Sequence, residues 1–391
     1  MKRWVFLVTL IIFSLGATSP LLAAGRFDPY GQVKWQVEKA GKPSAEVTVT
    51  ENGLLYYPVG NKIICYDVNT GTKLWERKME VGGKITEPLL VEGQDLYATG
   101  TEGVQQMKPN GSLNWVYRVY PKPKGNSSSG VVSKGPEDLL YVGVADGLYA
   151  VEPQKNFKWR YSDEKNVVQL LGDQEAVYVC TGGKEEGYSL RALDRQGERI
   201  WHKGLGTLKN VRMAFGPDGR LYVVTNPAQV DRNTSGEILC LDKDTGQEIW
   251  RYGVKTDDLS SLAFSSDKTL FLSGQNKLLA LNLADGSLRW NVPLLNLSSG
   301  VAIDNAKQRL YAGSKDGRIF CVSFTGRLIW DKEIDKTINQ TLHKDGGIMI
   351  DKGKDDKDSI TKTPVFLKDG GIVVCTDKGA IYKFVDVHKE S

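Results

Sequence analysis

Short apolar runs recur along the chain, each about the length of one β-strand. DLYATG, LLYVGV, AVYVCT, RLYVVT, TLFLSG, RLYAGS and GIVVCT are rich in β-branched and aromatic residues and are bounded by polar stretches. A tight-turn signal follows them: TEG at Gly103, ADG at Gly147, KDG at Gly317 and DKG at Gly379. Asp-Gly and similar pairs reach the positive φ that two-residue hairpin turns require. Ahead of each run lies another turn (VEGQ, GPDG, SSDK, LKDGG) and one more apolar run (EVTVT, EPLLV, VVQLL, SLAFS, GVAID, TPVFL). No 3.6-residue periodicity interrupts the alternation, so helices are not expected.

The unit ends on a Trp-bearing strand. Gly-x-x-x-Trp occurs as GQVKW at Trp35, GTKLW at Trp75, GSLNW at Trp115, GERIW at Trp201, GQEIW at Trp250, GSLRW at Trp290 and GRLIW at Trp330. An eighth copy, KNFKW at Trp159, has Lys155 in place of Gly. Successive copies lie 40, 40, 44, 42, 49, 40 and 40 residues apart. Four antiparallel strands per repeat at this period predict an all-β, single eight-bladed β-propeller. A blade cannot bury both faces alone, whereas a ring of blades can. Trp35 has no three strands before it, and TPVFLKDGGIVVCTDKGAIYKF has no Trp strand after it. The two fragments predict one shared blade, closing the ring by the N-terminal strand. The Gly residues of the motif (Gly71, Gly111, Gly197, Gly246, Gly286, Gly326) are expected to permit the turn and to let an indole ring lie against bare backbone. The eight Trp then bury apolar area between neighbours.

The chain has 391 residues, 40% hydrophobic and 25% charged, enough for a large core. Its net charge of +4 implies no basic face for nucleic acid. The mixed aromatic and cationic YRVYPKPKG, 117–125, is read as an outer strand and exposed loop. The N-terminus has a basic start at Lys2 and Arg3, an apolar run from Val5 to Ala17 and small residues at Ala23 and Ala24. This is a signal-peptide pattern over residues 1–24, which predicts an exported protein: periplasmic, cell-envelope or secreted. The alternative is an uncleaved N-terminal segment that holds the chain to a membrane. No Cys follows the apolar run, so this segment offers no site for a lipoprotein anchor. Cys65, Cys240 and Cys321 share one repeat position with Ala150, Ala192 and Ala280, and Cys180 and Cys375 share another. They are therefore read as small buried residues rather than as disulfides.

The register of CLDKDTGQEIW, YDVNTGTKLW and ALNLADGSLRW resembles the tryptophan-docking repeat of the pyrroloquinoline quinone (PQQ)-type eight-bladed propellers, over Gly25 to Ser391. The resemblance implies the fold. In the family's dehydrogenases it also implies PQQ, Ca²⁺ and a catalytic carboxylate. This chain departs from their pattern: no two Cys are adjacent, and all eight Trp after the leader belong to the repeat. It is also similar to the non-enzymatic branch, the outer-membrane assembly scaffold propeller. That likeness implies an envelope protein as partner, no cofactor and no catalytic residue; a monomer is expected.

Few side chains suggest chemistry. The histidines are His202, His343 and His388, read as surface residues. Residues 331–364 form the longest insertion, ahead of the last blade, and are the first candidate for partner contact. Asp351, Asp355, Asp356 and Asp358 within it carry oxygen ligands, but without the spacing of a Ca²⁺ loop, and are read as solvated. The polar residues leading into the first strands (NSSSG, DLSSL, NLSSG, SITKTP) predict a hydrophilic central channel that a glycan or peptide could enter. Thr48, Gln169 and Arg212 interrupt otherwise apolar first strands and are the channel candidates. Arg212 is the most unusual, because a cation there needs an acidic partner or a ligand.

Overall fold

The computed structural model describes residues 32–120, 130–153, 156–162, 166–183, 186–230, 235–274, 276–334, 340–342, 348–350 and 358–386. They form eight four-stranded antiparallel sheets arranged as a propeller. Blades one to seven span 48–78, 90–118, 131–161, 167–206, 208–254, 263–293 and 297–333. Blade eight consists of Val365–Phe366, Gly371–Cys375 and Ile381–Val385, and its fourth strand is Gln32–Val37. That strand pairs antiparallel with Ile381–Val385, with Val37 opposite Ile381. Residues 1–24, the expected signal segment, lie outside the described residues.

The core is a series of layers between blades. Leu55, Tyr57, Ile64 and Tyr66 of blade one pack with Val373, Cys375 and Ile381 of blade eight. Tyr311, Ile319 and Cys321 of blade seven pack with Ile372, Val374 and Phe384 on its other side. Second and third strands are buried on both faces, as in Leu221–Pro227 and Thr269–Gly274. This is why they read as continuous apolar runs rather than as alternating ones.

Six of the indoles meet the glycine of the following blade, not that of their own motif. A Cβ added at Gly71, Gly111, Gly197, Gly246, Gly286 or Gly326 would come within 3.0 Å of a ring atom of Trp35, Trp75, Trp159, Trp201, Trp250 or Trp290, respectively. All six glycines have φ between +70° and +86°, so they serve turn and contact together. The same six indoles donate Nε1–H to backbone carbonyls next door, those of Val68, Pro109, Arg195, Lys243, Leu283 and Phe324. Trp115 is buried, but its counterpart Lys155 lies outside the described residues. The Nε1 of buried Trp330 has no hydrogen-bond partner among the described residues, and Gly31, its counterpart, also lies outside them.

Within each of blades one to seven a second aromatic supports the Trp. Tyr56, Tyr97, Tyr141, Tyr178, Tyr222, Phe271 and Tyr311 lie 5.7–6.2 Å from the Trp of their own blade, centroid to centroid. Between the two strands stands the small-residue position: Cys65, Cys240, Cys321, Ala150, Ala192 and Ala280 are each in register with a Trp. All five cysteines are buried as free thiols. Blade eight departs from this pattern. Its corresponding pair is Val373 and Lys383, and the buried Lys383 ammonium lies 2.6 Å from Asp369.

The insertion differs from the expected solvated loop. Asp331 to Glu333 belong to the outer strand of blade seven. Residues 340–342 and 348–350 pair antiparallel as a two-stranded sheet. Asp358 is buried, and its carboxylate accepts the Lys378 N–H at 2.7 Å. Ile360 is fully buried in the layer between blades seven and eight. The run Ser359 to Pro364 is therefore part of the last blade's inner edge: SIT-K-TP needs an apolar anchor there, and Ile360 supplies it. Asp351, Asp355 and Asp356 lie outside the described residues.

Candidate functional site

Contacts between blades that are not neighbours show what lines the axis. Gln169 of blade four donates Nε2–H to Glu87 Oε2, on the approach to blade two, at 3.3 Å. Arg212 of blade five acts electrostatically on Glu46, on the approach to blade one, and on Glu87. Lys362, on the approach to blade eight, acts on the same two carboxylates. First strands thus converge, and the charges stand on them (Arg212) or on the segments leading into them (Glu46, Glu87, Lys362).

The two carboxylates are held differently. Glu46 Oε2 accepts the Thr363 backbone N–H at 2.8 Å, and Oε1 accepts the Thr363 hydroxyl at 3.3 Å. Burial raises the pKa of Glu46, with the Thr363 N–H and then Lys362 and Arg212 opposing the shift. Burial raises Glu87 as well, against Arg212, the Gln169 amide and Lys362. In both residues desolvation outweighs nearby positive charge. Arg212 is exposed and Lys362 half-exposed, and neither side chain makes a hydrogen bond or close ion pair among the described residues.

The three sequence candidates separate here. Gln169 and Arg212 belong to this cluster. Thr48 turns to the seam instead, its hydroxyl donating to the Leu89 carbonyl at 3.4 Å. Glu46, Glu87 and Lys362 were not singled out from the sequence. They stand just before or at the start of the first-strand runs, as in EVTVT, EPLLV and SITKTP, where a turn residue and a channel residue look alike. His202 is exposed on the outer strand of blade four, whereas His343 and His388 lie outside the described residues. Of the YRVYPKPKG run, Tyr117 and Arg118 end the outer strand of blade two, and Tyr120 is 91% exposed.

The charges at the axis are mixed in sign where PQQ with Ca²⁺ would have to sit. A quinone bearing three carboxylates would meet Glu46 and Glu87 beside the two cations. No group of three or more His, Cys, Asp or Glu among the described residues could hold a metal ion. No helix among them is long and apolar enough to cross a membrane.

The profile of a family described as outer membrane protein assembly factor BamB matches residues 24–183 and 185–390. The BamB of Shewanella oneidensis is 22% identical over 278 residues, which is 68% of this chain and 67% of that protein. The BamB proteins of Nitrosomonas eutropha (24%, 45% of this chain) and Moranella endobia (29%, 38% of this chain) are similar too, but only 41% and 40% of their lengths are spanned. Among solved structures, BamB from Moraxella catarrhalis superimposes with a TM-score of 0.61, covering 92% of this chain and 99% of that one, at 13% identity. Quinohemoprotein alcohol dehydrogenase from Comamonas testosteroni gives 0.65, covering 93% of this chain and 77% of that one, also at 13% identity. The two folds therefore agree equally well with a scaffold and with an enzyme, and fold alone does not separate them. The profile does separate them, since it spans nearly the whole chain: the protein belongs to the PQQ-like propeller family of the outer membrane protein assembly factor BamB.

Proposed function

We propose that this chain is a non-catalytic, exported scaffold of the cell envelope that takes part in assembling outer-membrane proteins by holding a protein partner. The observation that carries the reading is the match to that family over residues 24–183 and 185–390. Two others support it. The N-terminal apolar run with its basic start has the pattern of an export signal. The cations at the axis lie within electrostatic reach of two carboxylates of the chain itself. The segment between blades seven and eight, 334–358, is the contact we assign to the partner, because no other connection departs so far from the repeat.

The test combines a deletion strain with photo-crosslinking. Loss of the protein lowers the amount of folded outer-membrane protein recovered from the envelope. A photo-reactive residue placed within 334–358 of the full-length chain captures a component of the outer-membrane assembly machinery. Unchanged outer-membrane protein levels together with no such crosslink would overturn the proposal.

A further inference from the structure

The axial cluster has a charge arrangement that the scaffold reading does not use. Two carboxylates come from adjacent blades, Glu46 at blade one and Glu87 at blade two. Two cations stand at blades five and eight, Arg212 and Lys362. The cluster is neutral as a whole, yet neither cation has a side-chain hydrogen bond or close ion pair among the described residues. Each is nonetheless within electrostatic reach of both carboxylates. A guanidinium has five donors and an ammonium three, and among the described residues none of them is taken by a side-chain hydrogen bond or close ion pair. The carboxylates are oriented but not saturated. Glu87 accepts one amide from Gln169, and Glu46 accepts two hydrogen bonds from Thr363. Each carboxylate has about four acceptor sites, so both retain capacity towards the channel.

The chemistry of a guest follows from these signs. A purely anionic guest would be drawn to Arg212 and Lys362 but repelled by Glu46 and Glu87. A purely cationic guest meets the reverse. A neutral sugar leaves both cations unmatched. We infer that the axis binds a short peptide with free ends, its carboxylate on Arg212 and Lys362 and its ammonium on Glu46 and Glu87. Such a zwitterion satisfies all four charges at once. Thr363 and Gln169 are positioning residues, because each acts on the guest through the carboxylate it holds.

The site is independent of the 334–358 contact, so its failure leaves the scaffold reading untouched. The test is calorimetric titration of the full mature chain with dialanine at neutral pH and low salt. The expected result is saturable binding with a dissociation constant of about 1 mM or tighter. N-acetylation of the peptide, C-amidation of the peptide, and Arg212→Gln in the protein are each expected to weaken it at least about tenfold, the loss of one charge-assisted contact. Glu87→Gln provides a second variant, with weakening expected for dialanine but little further change for N-acetyl-dialanine, which lacks the ammonium. Thermal unfolding of both variants checks that they are folded. No heat with dialanine would overturn the inference. So would equal binding of the doubly blocked peptide, or unchanged affinity in folded Arg212→Gln.

Discussion

Blade five carries Trp250 on its outermost strand and Arg212 on its innermost. Trp250 is 8% exposed, lies on Gly286 of the next blade, donates to the Leu283 carbonyl at 3.1 Å and is backed by Tyr222 at 5.7 Å. Arg212 is exposed, and its side chain makes no hydrogen bond or close ion pair among the described residues. Equivalents of Trp250 stand in every blade, whereas the residues aligned with Arg212 differ from blade to blade. Repetition at the outer edge serves the ring, because every interface needs the same ring-on-glycine contact. At the axis a repeated charge would place eight like charges around one narrow space, and self-repulsion forbids it. Individuality there is the only way to keep ionised groups, and it is also what makes a recognition site.

The contrast can be broken most easily at the outer edge. Trp250→Ala should lower stability by about 3–5 kcal/mol, the range for truncating a packed aromatic. Gly286→Ala should show a loss of about 2–4 kcal/mol from the other side of the contact, since a methyl there meets the indole at a positive φ. Both are read by denaturant unfolding, and a loss below about 1 kcal/mol in either would mean the ring-on-glycine contact is not what holds blades five and six together.

Two arginines sharpen the comparison. Arg309 is buried at 3% exposure against Asp386, which also accepts the Tyr311 hydroxyl at 3.0 Å. Arg309→Met leaves that carboxylate without its cation and should cost about 3–5 kcal/mol. Arg212→Gln, in contrast, should change stability by less than about 0.5 kcal/mol, because an exposed cation with no close partner among the described residues contributes little. Similar losses for the two variants would show that the axis is structural after all.

Between these lies Glu46. Burial sets its folded-state pKa above 4.5. A raised carboxylate favours the folded state while protonated, and that contribution disappears as pH rises through the folded pKa. Glu46→Gln should therefore unfold at the same temperature as the parent, or a higher one, at neutral pH. The difference should close below pH 4.5. A variant less stable than the parent at neutral pH would show that Thr363 and the cations outweigh desolvation.

The repeat was legible because it is written in residues with few alternatives. Only Gly tolerates the turn and the indole together at Gly246 or Gly286, so the spacing to Trp survives in plain view. The Cys and Ala positions could be aligned for the same reason, though only the folded sheet shows that they stand opposite the Trp. What the sequence concealed was the direction of the contact: GQEIW reads as a local unit, yet Trp250 belongs to Gly286 and Gly246 to Trp201. The axis was half legible. Arg212 and Gln169 stood out against apolar strands. Glu46, Glu87 and Lys362 did not, because they precede the strands and look like ordinary turn residues until five blades converge. Asp358 was misread among the acidic residues of the insertion, since nothing local shows that a backbone N–H twenty positions later is its partner.

The seam at blade eight has a consequence for timing. Gln32–Val37 finds its partner strand only in Ile381–Val385, and the Thr363 N–H that holds Glu46 comes 317 residues after it. A chain emerging from a ribosome or a translocation pore presents that first strand long before anything exists to pair with it. Blades one to seven can form in the order of synthesis, while the earliest strand waits as an open β edge. The interval before the last segment arrives is when a chaperone would have the most to protect.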